Sequence, residues 1–236
     1  MSISTTPPPP LPPKKKGLGC LGCGCLILVL LAILFAALVG GVLYMGYNET
    51  LRVTSTTPAV IPSFAGSDDL YQTALRKLAD FDHDVKNHQA ATVRLSADEI
   101  NVLITRNPEV SANHIQAFVS FSNTEGRVQA SVPADALGYG VMKGRFFNLD
   151  TSFEIYFDQA TKTFNVIPHT LKFGDNVLMG PNAADDRTAQ SFKRTFTPFL
   201  NQLINAEIQK SPDGTDLLNQ AKSIEIQDGQ LVIETQ

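Results

Sequence analysis

Residues 17 to 47 contain no charged side chain, and Lys14, Lys15 and Lys16 stand immediately before them. This run constrains the chain more than any other feature. Cys25 to Tyr44 is apolar almost throughout, and as a helix rising about 1.5 Å per residue it covers roughly 30 Å, the thickness of a bilayer's hydrocarbon core. Leu31 and Ala36 lie at its centre, Gly40 beyond them, and Tyr44 and Tyr47 where interfacial aromatics belong. A buried soluble helix is rarely apolar all round over such a length. The expectation is therefore a transmembrane anchor. The lysines before it, and Asn48, Glu49, Thr50, Leu51 and Arg52 after it, orient it with the N-terminus in the cytoplasm and the remainder outside. A cleaved secretory signal is the rival reading. It is kept open by Ala36, Ala37 and Gly40, although no clean A-x-A site comes after them.

Cys20, Cys23 and Cys25 are all the cysteines of the chain. They precede the apolar run, whereas a lipoprotein signal needs its cysteine after one. Three cysteines without a nearby histidine fall short of a structural zinc set. In a eukaryotic cell their juxtamembrane position would suit S-palmitoylation; the simpler reading is that small residues start the span. Ala32, Ala36 and Gly40 recur at four-residue spacing, a small-residue face through which two spans can approach as a homodimer. Pro7 to Pro13 reads as a short polyproline II rod in a disordered tail.

Charge sets the anchor apart from the rest of the chain. The first 47 residues carry only the three lysines, and the remaining 16 basic and 23 acidic residues leave the other part at −7. That balance gives no electrostatic footprint for nucleic acid. The organisation expected is a proline-rich cytoplasmic tail over 1–16, an anchor over 17–47, a Thr-, Ser- and Pro-containing linker over 48–66 that lifts the domain off the membrane, and an extracytoplasmic domain over 67–236.

Within that domain, Ser67 caps a helix over 68–88 whose stripe is Tyr71, Ala74, Leu75, Leu78, Phe81 and Val85. A short strand over 91–95 leads into Ser96-Ala97-Asp98-Glu99, a capping box that starts a helix ending before Pro108. The period then changes to two. Ile115–Phe121 and Val128–Val132 form a hairpin, and long strands come next over 145–158 and 163–173. A second long helix over 184–210 contains Pro198, which should kink or break it. A short helix near 215–221 precedes a terminal hairpin turning at Asp228-Gly229. Strands grouped rather than alternating with helices predict an α+β fold: an N-terminal transmembrane helix, then one antiparallel sheet of about five to seven strands with two long helices packed on it.

Candidate chemistry is sparse. Asp80, His83 and Asp84 share one helix face and could contribute to a metal site, but they lie opposite the apolar stripe, as a solvated face would. Asp185-Asp186-Arg187 is accounted for by a helix start. No G-x-S-x-G, H-E-x-x-H or phosphate loop is present, and no cofactor is expected. The polar residues singled out are Ser96 and Glu99 of the capping box and Asn101 at the edge of the apolar face, where an amide can bond neighbouring backbone and set how the helix meets the sheet.

The segment from Ser96 to Ile104, with its I-N-x-L-I pattern, and the ending Ile224-Glu225-Ile226-Gln227-Asp228-Gly229-Gln230-Leu231-Val232-Ile233 resemble membrane-anchored bacterial proteins of the YpmS-like group. The ending is also similar to that of small lipid-binding domains of the tubular type. The resemblance covers about thirty residues; it implies a single N-terminal span before an extracytoplasmic α+β domain, with no functional residue to transfer.

The leading functional expectation is non-enzymatic binding of an apolar or lipid-like ligand. Its motive is the strand 163–173, which under strict alternation places Phe164 and Val166 on one face and Ile167, Leu171 and Phe173 on the other; Phe146–Phe147 does the same. The alternative is a structural or assembly factor of the cell envelope acting through protein–protein contacts, and an enzyme is third.

Overall fold

The computed structural model describes residues 51, 53–137, 142–180 and 186–236. The anchor positions Cys25, Leu31, Ala32, Ala36, Gly40 and Tyr44 lie outside them, and among the described residues no helix is long and apolar enough to cross a membrane.

The elements in chain order are β1 (Thr54–Ser55), α1 (Asp68–Lys86), β2 (Thr92–Ser96), α2 (Ala97–Thr105), α3 (Pro108–Ala112), β3 (Gln116–Ser122), β4 (Glu125–Pro133), a 3-10 turn (Ala134–Leu137), β5 (Phe146–Asp158), β6 (Thr163–Phe173), β7 (Asn176–Met179), α4 (Asp186–Ile208), α5 (Pro212–Gln220), β8 (Ala221–Gln227) and β9 (Gln230–Thr235). The fold is α+β with antiparallel pairing, as expected. The expectation of a single sheet is corrected. There are two: a six-stranded sheet in the order β3-β4-β5-β6-β7, with β1 on β5, and a three-stranded sheet β2-β9-β8.

The terminal hairpin does not extend the larger sheet because its apolar face is needed elsewhere. β9 takes β2 as its second neighbour, with Val93 opposite Ile233 and Leu95 opposite Leu231. Ile224 and Ile226 of β8 fall on the same buried face. That face packs onto the larger sheet, where Gly126 lets it approach: a Cβ there would meet Ile226 and Phe153 at 2.9 Å. The long helices accordingly do not lie together on one sheet face. α1, capped by Ser67 and buried through Ala74, Leu78, Phe81 and Val85, packs beside β2 and α2. α4, buried through Phe196, Leu200, Ile204 and Ile208, packs beside β6 and β7. Pro198 neither ends nor splits α4.

A β-bulge decides which face β6 presents. Phe153 pairs with Pro168 and Ser152 with Thr170, so His169 is the extra residue. One additional residue resets the two-residue period. Phe164, Val166, Leu171 and Phe173 therefore all enter the core. The sheet apolar on both faces, expected from strict alternation, is not formed along β6; of the residues named for the second face only Ile167, half-buried opposite Glu154, stays outside.

The free linker expected over 48–66 is also corrected. Val53 is buried, Thr54 and Ser55 pair with Phe147 and Phe146, and Gly66 runs so close to α2 that a Cβ would meet Val102 Cγ2 at 2.5 Å. Thr, Ser and Pro composition hides this, because apart from the buried Val53 the strap is held largely through hydrogen bonds to its backbone.

Deletion of His169 should return β6 to strict alternation and turn either Phe164 and Val166 or Leu171 and Phe173 outward, at about 2 kcal/mol for each exposed side chain. The expected outcome is loss of a cooperative thermal transition, against a shift of only a few degrees for His169→Thr.

Candidate functional site

The three polar residues named from sequence sit at one junction. Ser96 is at once the last residue of β2 and the cap of α2, so no loop intervenes. Its Oγ accepts the Glu99 N–H at 3.2 Å, and Glu99 Oε2 accepts the Ser96 N–H at 2.9 Å. Glu99 is buried, and its other oxygen meets Lys77 Nζ of α1 at 2.6 Å, while that ammonium also donates to the Arg94 carbonyl at 3.1 Å. A buried carboxylate is tolerable when each oxygen is matched in this way. One side chain thereby ties α1, β2 and α2.

Asn101 extends from the same helix to the edge of the larger sheet. Its Nδ2 donates to the Val119 carbonyl and its Oδ1 accepts the Val119 N–H, both at 2.8 Å, so the amide occupies the place of a neighbouring strand on β3. The opposite side repeats the device. Asn205 Oδ1 accepts the Phe164 N–H at 2.8 Å, and its Nδ2 donates to the Phe164 carbonyl and to the Asn201 carbonyl, each at 2.7 Å. Asn201 Oδ1 accepts the Val166 N–H at 2.9 Å. Sequence reasoning missed Asn201 and Asn205; two asparagines at i, i+4 flanking the Phe196–Leu200–Ile204 stripe were the available signal.

With the core face filled and the edges held, the outward face of the larger sheet is the open surface. Ser120, Arg127, Ser152 and Thr170 lie in register across β3, β4, β5 and β6, and Phe118, Gln129, Asp150 and Lys172 form the next row. Val177, Met179 and Gly180 wall one side of a cleft of about 510 Å³ over these rows. At its centre Arg127 holds Asp150 with both prongs, Nε to Oδ1 at 2.8 Å and Nη2 to Oδ2 at 2.6 Å. The Arg127 hydrogen bond, aided by its charge, holds the Asp150 carboxyl below the ordinary aspartate range although partial burial pushes the other way; the same pairing raises Arg127. Ser152 and Thr170 hydroxyls pair at 2.9 Å beside it. The cleft thus offers cationic and hydroxyl donors around the matched Asp150 carboxylate, with Glu125 also on its lining, an arrangement suited to holding polar groups. Its residues were legible only as the polar half of each strand's alternation.

Other candidates stay dispersed. Among the described residues no cluster of three or more His, Cys, Asp or Glu could hold a metal. Asp80 and His83 are exposed, and the His83 ring meets Asn87 at 3.1 Å. His88 and His114 take left-handed backbone just past α1 and α3, where they end helices. Comparison with protein-family models, curated proteins and solved structures finds no match to this chain.

Asn205→Leu keeps the size of the side chain but strands a buried N–H and carbonyl of Phe164, and should cost about 2–4 kcal/mol, read from the urea midpoint. For the ion pair, the sign follows from the lowered folded pKa. The contribution of Asp150 is present above the unfolded aspartate value of about 3.9 and is lost as pH falls through the lower folded value. NMR titration should find Asp150 below that value in the native protein and shifted upward in Arg127→Met.

Proposed function

We propose that the chain is a single-span membrane protein of the cell envelope, its N-terminus cytoplasmic and its α+β domain outside, which works by binding rather than by catalysis. Of the two binding readings, the structural or assembly factor acting through protein–protein contacts is the better supported. The observation that carries it is the open outward face of the six-stranded sheet, polar around the Arg127–Asp150 cleft and bearing Phe118, Tyr156 and Ile167 beside it. Hydroxyls, amides and a fixed ion pair on rigid strands make a surface for polar recognition. The anchor and its orientation rest on the uncharged run 17–47 and Lys14–Lys16. A relation to the YpmS-like group, with the same order of span and domain, is part of this proposal.

A lipid-like ligand is the second reading. The bulge at His169 removes Leu171 and Phe173 from its motive and leaves Ile167 and Phe146 on the outward face, while Phe199 and Leu203 stand exposed side by side on α4. They flank the buried stripe of that helix and give an apolar ligand a place to lie.

The test is site-specific photo-crosslinking in intact cells from Ser122 on the cleft rim and from Phe199 on α4. The expected outcome is one discrete protein adduct from Ser122, removed by Arg127→Glu. Solvent-extractable lipid adducts from Phe199, with none from Ser122, would favour the second reading instead.

A further inference from the structure

We propose that the strap over residues 51–66 mounts the domain directly on the bilayer in one orientation, with the strand-end surface around Lys143–Phe146 at the lipid headgroups. The proposal rests on reading 17–47 as a membrane span. Between Tyr47 and Leu51 lie only Asn48, Glu49 and Thr50. Four Cα steps of 3.8 Å bring Leu51 within about 15 Å of the end of the apolar run. The headgroup layer on one side of a bilayer is itself roughly 5–8 Å deep.

From Leu51 on, the chain is gripped. Arg145 donates through Nη2 to the Leu51 carbonyl at 3.1 Å and to the Thr54 carbonyl at 2.9 Å, and through Nε to Thr54 Oγ1 at 2.7 Å. Asn148 accepts the Ala59 N–H and donates to the Thr57 carbonyl, both at 2.9 Å, and is itself steadied by the Ser131 hydroxyl at 2.8 Å. Arg106 closes the strap at its far end, bonding Asp68 at 2.7 Å beside Gly66. Val53 is buried in the core. A spacer would leave the domain free to swing; this segment cannot swing without breaking these bonds and uncovering Val53.

The grip also sets which surface faces lipid. β5 begins beside the clamp and runs away from it, and its thirteen residues cover about 40 Å. Gly174 donates to the Asn148 carbonyl and Ala134 to the Arg145 carbonyl, both at 2.8 Å, so the β6–β7 turn and the 3-10 turn share the clamped end. The turn over 159–162 lies at the far end of β5. At the clamped end the charges of Lys143 and Arg145 are offset by those of Asp135 and Asp175. Attraction to charged lipid therefore does not hold the domain down; the strap does, and its placement should not respond to salt or to anionic lipid.

The experiment uses the full chain in lipid nanodiscs, with Cys20, Cys23 and Cys25 replaced by serine and a dye on either Lys143→Cys or Thr161→Cys, read against a headgroup-borne quencher. The expected result is strong quenching at 143 and almost none at 161, unchanged by salt. Arg145→Ala combined with Asn148→Ala should release the strap and bring the two positions toward equal quenching. Equal quenching in the otherwise native chain, or no response to the double substitution, would overturn the mounting alone. Extraction of the chain from membranes by alkaline carbonate would overturn the anchor reading and the proposal with it.

Discussion

A sheet that does not close into a barrel leaves backbone N–H and C=O groups along its edges, and the architecture of this domain follows from how they are satisfied. Side-chain amides do it. Asn101 covers Val119 on β3, and Asn205 with Asn201 covers Phe164 and Val166 on β6. Each clamp belongs to a helix whose apolar stripe is already buried, so one helix both fills the core and covers part of an edge. The buried Glu99 carries that logic back to α1 through Lys77. Edges closed in this way are poorly placed to pair with another chain. The outward face of the larger sheet is the surface left open.

What β6 contributes to that face depends on one residue. Without the extra position at His169, β6 would divide its apolar residues between both sides. With it, Phe164, Val166, Leu171 and Phe173 join the core and Thr170 and Lys172 stay with Ser152 and Asp150 outside. The β4–β5 register, which has no bulge, places Arg127 within reach of Asp150.

Local structure was largely legible in the residue order. Ser67 and the Ser96–Glu99 box mark helix starts, and the β3–β4 and β8–β9 hairpins follow from alternation and turn residues. The role of Asn101 could be argued because a buried amide must find partners. The features beyond reach depend on contacts distant in sequence. The pairing of β2 with β9 brings together residues some 140 positions apart, and no local pattern announces it. The bulge at His169 is marked only by Pro168 beside it, a residue that a strand paired on both sides admits at a bulge. The strap is bonded through its backbone, which sequence polarity does not report, and the Arg127–Asp150 cleft appears only once β4 and β5 are set in register.

The most direct test of this account is amide hydrogen exchange at the clamped edge positions. If the asparagine amides close the sheet, the N–H groups of Val119, Phe164 and Val166 should exchange only through near-global unfolding, with protection matching Val128 inside β4. Exchange at those three positions as fast as in the Asn123–Thr124 turn would contradict it, and would mean that the edges stand open.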